Sequence, residues 1–322
     1  MNQGTAGRFK VGRLAFSGGG QVASGSTAPL SGTSGTPLGM PRGSVYVYTG
    51  TTGPVVYTNE GTATSPYWTP VHYDQPGLRG WHTDFRDGIG EALADTDAAL
   101  LLASGVRVHG QGIAETDSGM VVTYTAELGA IARLTTTDED AHTMALSPGS
   151  TGTVLPMQPD THGPLVIDVE FAHVTAITLR ATFAGFIGAI ADALDPAVTG
   201  GTTTLTLVLD DLAGLFQDVG LTDTDGVFAP HNKSDEAASI ATTAAGVDCA
   251  STMAAAGTYQ RWRVEISRAG VMACFIDKAQ VTRIAAALDV DEEVAPTFYI
   301  ESTSTAVKIV DVKRIAAWGL RA

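Results

Sequence analysis

Glu170 and Glu265 have the clearest chemical potential in the chain, because two carboxylates held on strands can flank a sugar bond, one as acid and one as base or nucleophile. Glu265, however, alternates with Arg261 and Arg263 opposite Trp262, Val264 and Ile266, so its ordinary role is a cross-strand ion pair in water. No catalytic residue is assigned. The histidines His72, His82, His109, His142, His162, His173 and His231 are scattered, form no His-Glu-x-x-His motif, and are expected at turns or on the surface. Asp223-Thr224-Asp225-Gly226 offers two oxygen ligands before a turn but lacks the third acid and closing Glu of a calcium loop, so it reads as a solvated turn. No nucleophile elbow, Walker loop or dinucleotide fingerprint is visible, and neither a metal nor a cofactor is expected.

Aromatic residues are densest between Tyr67 and Phe85, where Tyr67, Trp68, Tyr73, Trp81 and Phe85 admit three readings: a sugar-stacking platform, the core of a small module, or a subunit interface. Their number exceeds what so short a stretch needs for its own core. That excess assigns Tyr67, Trp68, Tyr73 and Trp81 to an interface between copies of the chain, with a homotrimer expected.

The elements that position these groups are strands. Arg261–Ile266 alternates apolar and charged with period two, Ser267-Arg268-Ala269-Gly270 makes a hairpin turn, and Val271–Ile276 returns before Asp277-Lys278. Trp262, Val264, Ile266, Phe275 and Trp318 are expected to be buried, with Arg261, Arg263 and Glu265 exposed. Further strands are predicted at Val106–Val108, Val121–Tyr124 and Ala130–Leu134, whereas Ala181–Leu194 fits a buried strand or a short helix.

Charge is uneven. The 322 residues carry a net −15, yet residues 1–59 hold Arg8, Lys10, Arg13 and Arg42 and no acid, which leaves −19 on the remainder. A strongly acidic body argues against nucleic acid as a partner. The Gly/Ser/Thr-rich segment 1–43 is expected to be an extended basic arm, with Arg8, Phe9, Lys10, Arg13, Phe16 and Arg42 anchoring it to an acidic surface. Cys249 and Cys274 are expected to be buried free thiols. No signal peptide is visible, and the longest apolar run, 181–191, is about half of a membrane span, so cytoplasmic synthesis and no membrane partner are expected.

The segments Tyr259–Ile266, Phe275–Asp277, Val294–Glu301 and the closing strand ending at Trp318 resemble the concanavalin-A-like or laminin-G-like jelly rolls of tailed-bacteriophage structural proteins. Leu165–Phe171, Phe183–Ile187 and Asp210–Phe216 resemble earlier strands of that sandwich. Taken with the pattern along the chain, this gives an all-β protein: an arm (1–43), a small β-module (44–88), a helical or turn-rich connector (89–102) and a jelly-roll sandwich (103–322). The resemblance also implies a capsid decoration or head-fibre role on the virion exterior, with the major capsid protein as partner. The competing expectation is a receptor- or carbohydrate-binding fibre domain that holds a glycan, and behind it a glycan-acting enzyme.

Overall fold

The computed structural model describes residues 13–15, 19–50, 53–86, 90, 92, 99–110, 119–125, 129–136, 142–150, 153–154, 156–174, 180–188, 196–209, 211–233, 238–302 and 307–321. The chain divides into two compact units, residues 1–78 and 79–322. Among the described residues, apart from one short helix, Pro159–His162, the regular structure is β.

The N-terminal unit is a five-stranded sheet ordered Arg13–Ala15, Gln21–Gly25, Val45–Gly50, Gly53–Asn59 and Trp68–Pro70. Gln21–Gly25 runs parallel to Val45–Gly50, with Val22 opposite Val45. Chain on both sides of residue 43 therefore belongs to one sheet, and Met40 is buried between the strands' connections. Within the expected extended arm of residues 1–43, the strand-forming patches at Arg13–Ala15 and Gln21–Gly25 are paired inside the chain. Buried Asn59 organises the connections: its side-chain amide donates to the Met40 carbonyl at 2.6 Å, and its Oδ1 accepts from the Gly61 and Tyr67 amides at 2.8 Å.

Residues 79–322 form a β-sandwich. One sheet has eight strands, in the order Ala279–Ile284, Met272–Ile276, Gln260–Ile266, Leu165–His173, Ile309–Leu320, Gly129–Thr135 and Gly119–Thr125, with Leu78–Thr83 also on Ile309–Leu320. The facing sheet runs Asp248–Thr252, Gly226–Phe228, Leu212–Asp218, Arg180–Ile187, Ala295–Ser302, His142–Ser150, Val106–His109 and Leu100–Leu101, with two short strands added at its margins. Between them lies the main core, where Phe171 meets Trp262 edge-on at 5.2 Å and Phe298 at 5.0 Å. The doubtful stretch at 181–194 is a strand over Arg180–Ile187; residues 189–194 and most of the expected 89–102 connector lie outside the described residues.

The hairpin after Gln260–Ile266 forms as its sequence dictates. Ser267 Oγ accepts from the Ala269 and Val271 amides, and Gly270 adopts φ +68°, where an added Cβ would run into the Leu288 carbonyl. At the next turn Asp277 and Lys278 both take positive φ, the backbone of a tight two-residue hairpin.

The two sheets have different outer faces. The ten-stranded sheet carries a second apolar cluster, with Phe183 stacked on Tyr299 at 5.0 Å beside Leu212 and Phe216. A three-stranded sheet, Val198–Gly201, Thr204–Leu207 and Ala238–Ala241, covers this cluster with Val198, Leu205 and Leu207. The opposed pair Gly185 and Gly214 leaves room for the Phe183 ring, which a Cβ at either position would meet.

Candidate functional site

The outer face of the eight-stranded sheet carries most of the polar side chains that can do chemistry. Glu170 lies opposite Arg261 on one neighbouring strand and opposite Arg314 on the other, while Asp168 lies opposite Arg263. Alternation therefore places Asp168, Glu170, Arg261, Arg263, Glu265 and Arg314 on the face away from Trp262 and Val264.

That face is not simply wet. Arg263 and Glu265 are buried, at 1% and 5% exposure, which corrects the expectation that both face water. The period-two pattern assigns the face correctly, but it carries no information about what a face packs against. Burial is tolerated because the charges are matched. Arg261 binds Asp168 through two bonds, Nε to Oδ1 at 2.6 Å and a terminal nitrogen to Oδ2 at 2.5 Å. Arg263 Nε sits 3.0 Å from Glu265 Oε1, and its guanidinium lies 4.7 Å over the Trp318 ring. Burial pushes the Asp168 carboxyl up, but Arg261, with Arg314 and Arg263 behind it, outweighs this and holds it down to about 2. Trp318 and Phe275 are buried as expected, but both lie on this outer face rather than in the central core.

Toward the Glu170 end the face opens. A cleft of about 290 Å³ is lined by Glu170, Tyr259, Gln260, Arg261, Asp277 and Lys278. A second, of about 170 Å³, is lined by Asp84, Arg86, Gly129, Ala130, Glu170, Lys313 and Arg314. Glu170 belongs to both, and its 2.7 Å ion pair with Lys313 forms the wall between them. Lys313 Nζ also lies 5.5 Å over the Tyr259 ring. Asp277 Oδ1 accepts from the Arg261 amide at 2.9 Å, which fixes the turn against the neighbouring strand. Tyr259 is pushed up to about 12 by burial first and then by Asp311, so its hydroxyl stays protonated.

Glu170 and Glu265 do not form a glycosidase pair. Glu265 lies opposite Val166 and Glu170 opposite Arg261, four residues along the ladder, so their backbones are ~13 Å apart at ~3.3 Å per residue. An acid pair needs carboxyls about 5–9.5 Å apart, and Glu265 is in any case engaged with Arg263 away from both clefts.

Two histidines depart from the expected turns and surfaces. His109 is fully buried, with Nε2 3.0 Å from Ser147 Oγ, which is itself 3.0 Å from Thr297 Oγ1. His173 is buried beside Phe171. The His109–Ser147 pair has the composition of a base and nucleophile, but at zero exposure it works as an internal hydrogen-bond chain tying three strands together. At Asp223–Gly226 the chain makes a tight turn, and burial, then the Asp225 side chain, raises the Asp223 pKa. Among the described residues no group of three His, Cys, Asp or Glu side chains is arranged to hold a metal ion. Cys249 and Cys274 are buried free thiols, the first pushed up to about 12 by burial and then by Asp248.

The predicted anchoring and interface residues are dispersed. Arg8, Phe9, Lys10 and Phe16 lie outside the described residues; Arg13 opens the first strand, and Arg42 is exposed at a turn. Tyr67 and Trp68 are buried within the N-terminal unit, where Trp68 lies 5.9 Å from Tyr46, and Tyr73 is half-buried there. Trp81 belongs to the sandwich, half-buried against its core, with its indole donating to the Ser104 carbonyl at 2.8 Å.

No protein-family model and no curated protein sequence matches the chain. Among solved structures it is similar to a protein of unknown function from Shewanella oneidensis MR-1, at 9% identity and TM-score 0.48 over 76% of this chain and 87% of that one. It is also similar to the carbohydrate recognition domain of Emp47p, at 8% identity and TM-score 0.42 over 78% of this chain and all of that one. Peanut lectin aligns at 11% identity and TM-score 0.43, over 76% and 99% of the two chains.

Proposed function

We propose that the chain is a carbohydrate-binding β-sandwich module. The observation that carries this reading is the cleft bounded by Tyr259, Gln260, Arg261, Asp277, Lys278 and Glu170. A sugar presents hydroxyls that both donate and accept over a weakly apolar ring. This cleft surrounds such a ring with carboxylate acceptors, a guanidinium and an ammonium, and adds an aromatic side chain. Apart from Tyr259, which directly precedes Gln260–Ile266, its groups stand on strands and on one tight turn, so they are held in place before a ligand arrives.

A second reading, favoured by the charge asymmetry along the chain, is a virion surface protein. Here the basic N-terminal region anchors on an acidic capsid lattice, copies associate as trimers, and the acidic sandwich projects outward. The two readings are compatible where a decorating protein also holds a glycan.

One experiment addresses both. The full chain is applied to a glycan array and, in parallel, sedimented with purified phage capsids. Binding to at least one glycan class, reduced about tenfold or more by Asp277→Ala, supports the cleft; a tenfold loss corresponds to ~1.4 kcal/mol. A protein that binds no glycan but sediments with capsids favours the second reading and removes the first.

A further inference from the structure

The two clefts lie along one line that crosses the strands. Asp277 adjoins Arg261 through its bond to the Arg261 amide; Arg261 lies opposite Glu170, and Glu170 opposite Arg314. The next strand pairs with this one through Ala132 and Val312, and its Gly129 and Ala130 line the same cleft as Arg314. Four inter-strand spacings of ~4.8 Å give this row a length of ~19 Å, enough for several pyranose rings end to end.

The walls of the row are positively biased on a strongly acidic protein. Arg86, Arg261, Lys278, Lys313 and Arg314 stand with Asp84, Glu170 and Asp277 in the linings of the two clefts; Asp84 pairs with Arg86 at 2.9 Å, and the buried Asp168 bound by Arg261 leaves five cations against four acids. A surplus of cations at the open part of a chain of net −15 is an electrostatic feature that a neutral ligand would not need. The cations are also distributed along the row rather than gathered at one point. Lys278 stands at one end, Lys313 at the dividing wall and Arg314 beyond it, with Arg86 on a side chain that is 76% exposed. Repeated charge along a line matches a chain with one carboxylate per unit better than a single anion.

We infer that the row binds an acidic oligosaccharide with carboxylated sugar units, laid across both clefts over the Glu170–Lys313 wall. This rests on the carbohydrate-binding reading and adds to it the charge and the length of the ligand. Glu170 is the pivot: it lines both clefts, and its carboxylate holds Lys313, which lines the second.

The test is calorimetric titration of the full chain with uronate oligosaccharides of two and six units, and with the carboxyl-reduced hexamers, which have the same rings and no charge. The hexameric uronate should bind about tenfold or more tighter than both its reduced counterpart and the dimer, and should weaken about tenfold between 50 and 500 mM salt, as screened charges do. Lys278→Glu and Arg86→Glu, at opposite ends of the row, should each weaken it about fivefold, with unchanged melting temperatures because neither side chain is part of a core. Equal binding of the reduced and charged hexamers overturns the acidic ligand while leaving a carbohydrate site in place. Equal affinity for dimer and hexamer, or sensitivity to only one of the two substitutions, overturns the shared row. Failure of every saccharide to bind overturns this inference, and the carbohydrate reading then stands or falls on the glycan array.

Discussion

On the outer face of the ten-stranded sheet, Phe183, Phe216 and Tyr299 lie under a three-stranded sheet, whereas the outer face of the eight-stranded sheet carries Asp168, Arg261, Arg263 and Glu265. Both faces are largely closed to water at their centres. One closes by burying apolar area, which is non-directional and tolerant of small shifts. The other closes by pairing charges, and each pair must be geometrically satisfied to offset its desolvation. That requirement has a functional corollary. An apolar cover ends in a sealed layer, but a charge network can run outward into open clefts, and here it continues from Asp168 through Arg261 to Glu170 and Lys313.

The apolar side offers the largest expected effect. Phe183→Ala removes a fully buried ring stacked on Tyr299, and Gly185 and Gly214 cannot fill the space because they have no side chains. A loss of about 3–5 kcal/mol is expected from urea denaturation. A loss below about 1 kcal/mol would mean that the three-stranded sheet is a loosely held cover rather than a packed layer.

On the charged side, Asp168→Asn keeps the shape and removes the charge beneath Arg261. The sign of its pH dependence follows from the depressed carboxyl. With a folded value of about 2 against an ordinary 3.8, ionised Asp168 stabilises the fold fully above pH 3.8, and the contribution is lost as pH falls through 2. The variant should therefore be about 2–3 kcal/mol less stable at pH 7. The gap should close as pH is lowered from about 4 to 2, measured by denaturation of both proteins across that range. A gap that persists at pH 2 would show that the carboxylate's charge is not what stabilises this face.

The contrast between the faces was only half legible in the sequence. Trp262, Val264 and Ile266 announced one side of a strand, and the Ser267–Gly270 and Asp277-Lys278 turns announced its hairpins, because period and turn chemistry are local. The burial of Arg263 and Glu265 was not legible, since cover depends on chain far away in sequence. The same holds for Gln21–Gly25, whose parallel partner Val45–Gly50 follows a loop of about twenty residues that no local pattern marks. For the site, Glu170 was singled out for its carboxylate and Asp277-Lys278 only as a turn. What joins them is the register Glu170–Arg261 together with the bond from the Arg261 amide to Asp277, and both exist only once the strands are paired. Tyr67 and Trp68 are buried within the N-terminal unit, and the segment that reads as an arm meets them there: Ser31 Oγ accepts from the Trp68 amide at 3.0 Å, a long-range pairing with no local signal.

Salt separates the two faces with the smallest effect. Lys313 and Glu170 form a half-exposed pair, at 37% and 26% side-chain exposure, so replacing Lys313 by Met removes an interaction worth about 0.5–1 kcal/mol while keeping most of the packing over Tyr259. At about 1 M salt, where screening acts within ~3 Å, wild type and Lys313→Met should converge in denaturation midpoint. The deficit of Phe183→Ala should remain, since burial of apolar surface does not depend on screened charge. If the Lys313→Met deficit is equally indifferent to salt, Lys313 acts through its contact with the Tyr259 ring rather than through Glu170. The wall between the clefts would then be held by a cation–π contact instead of an ion pair.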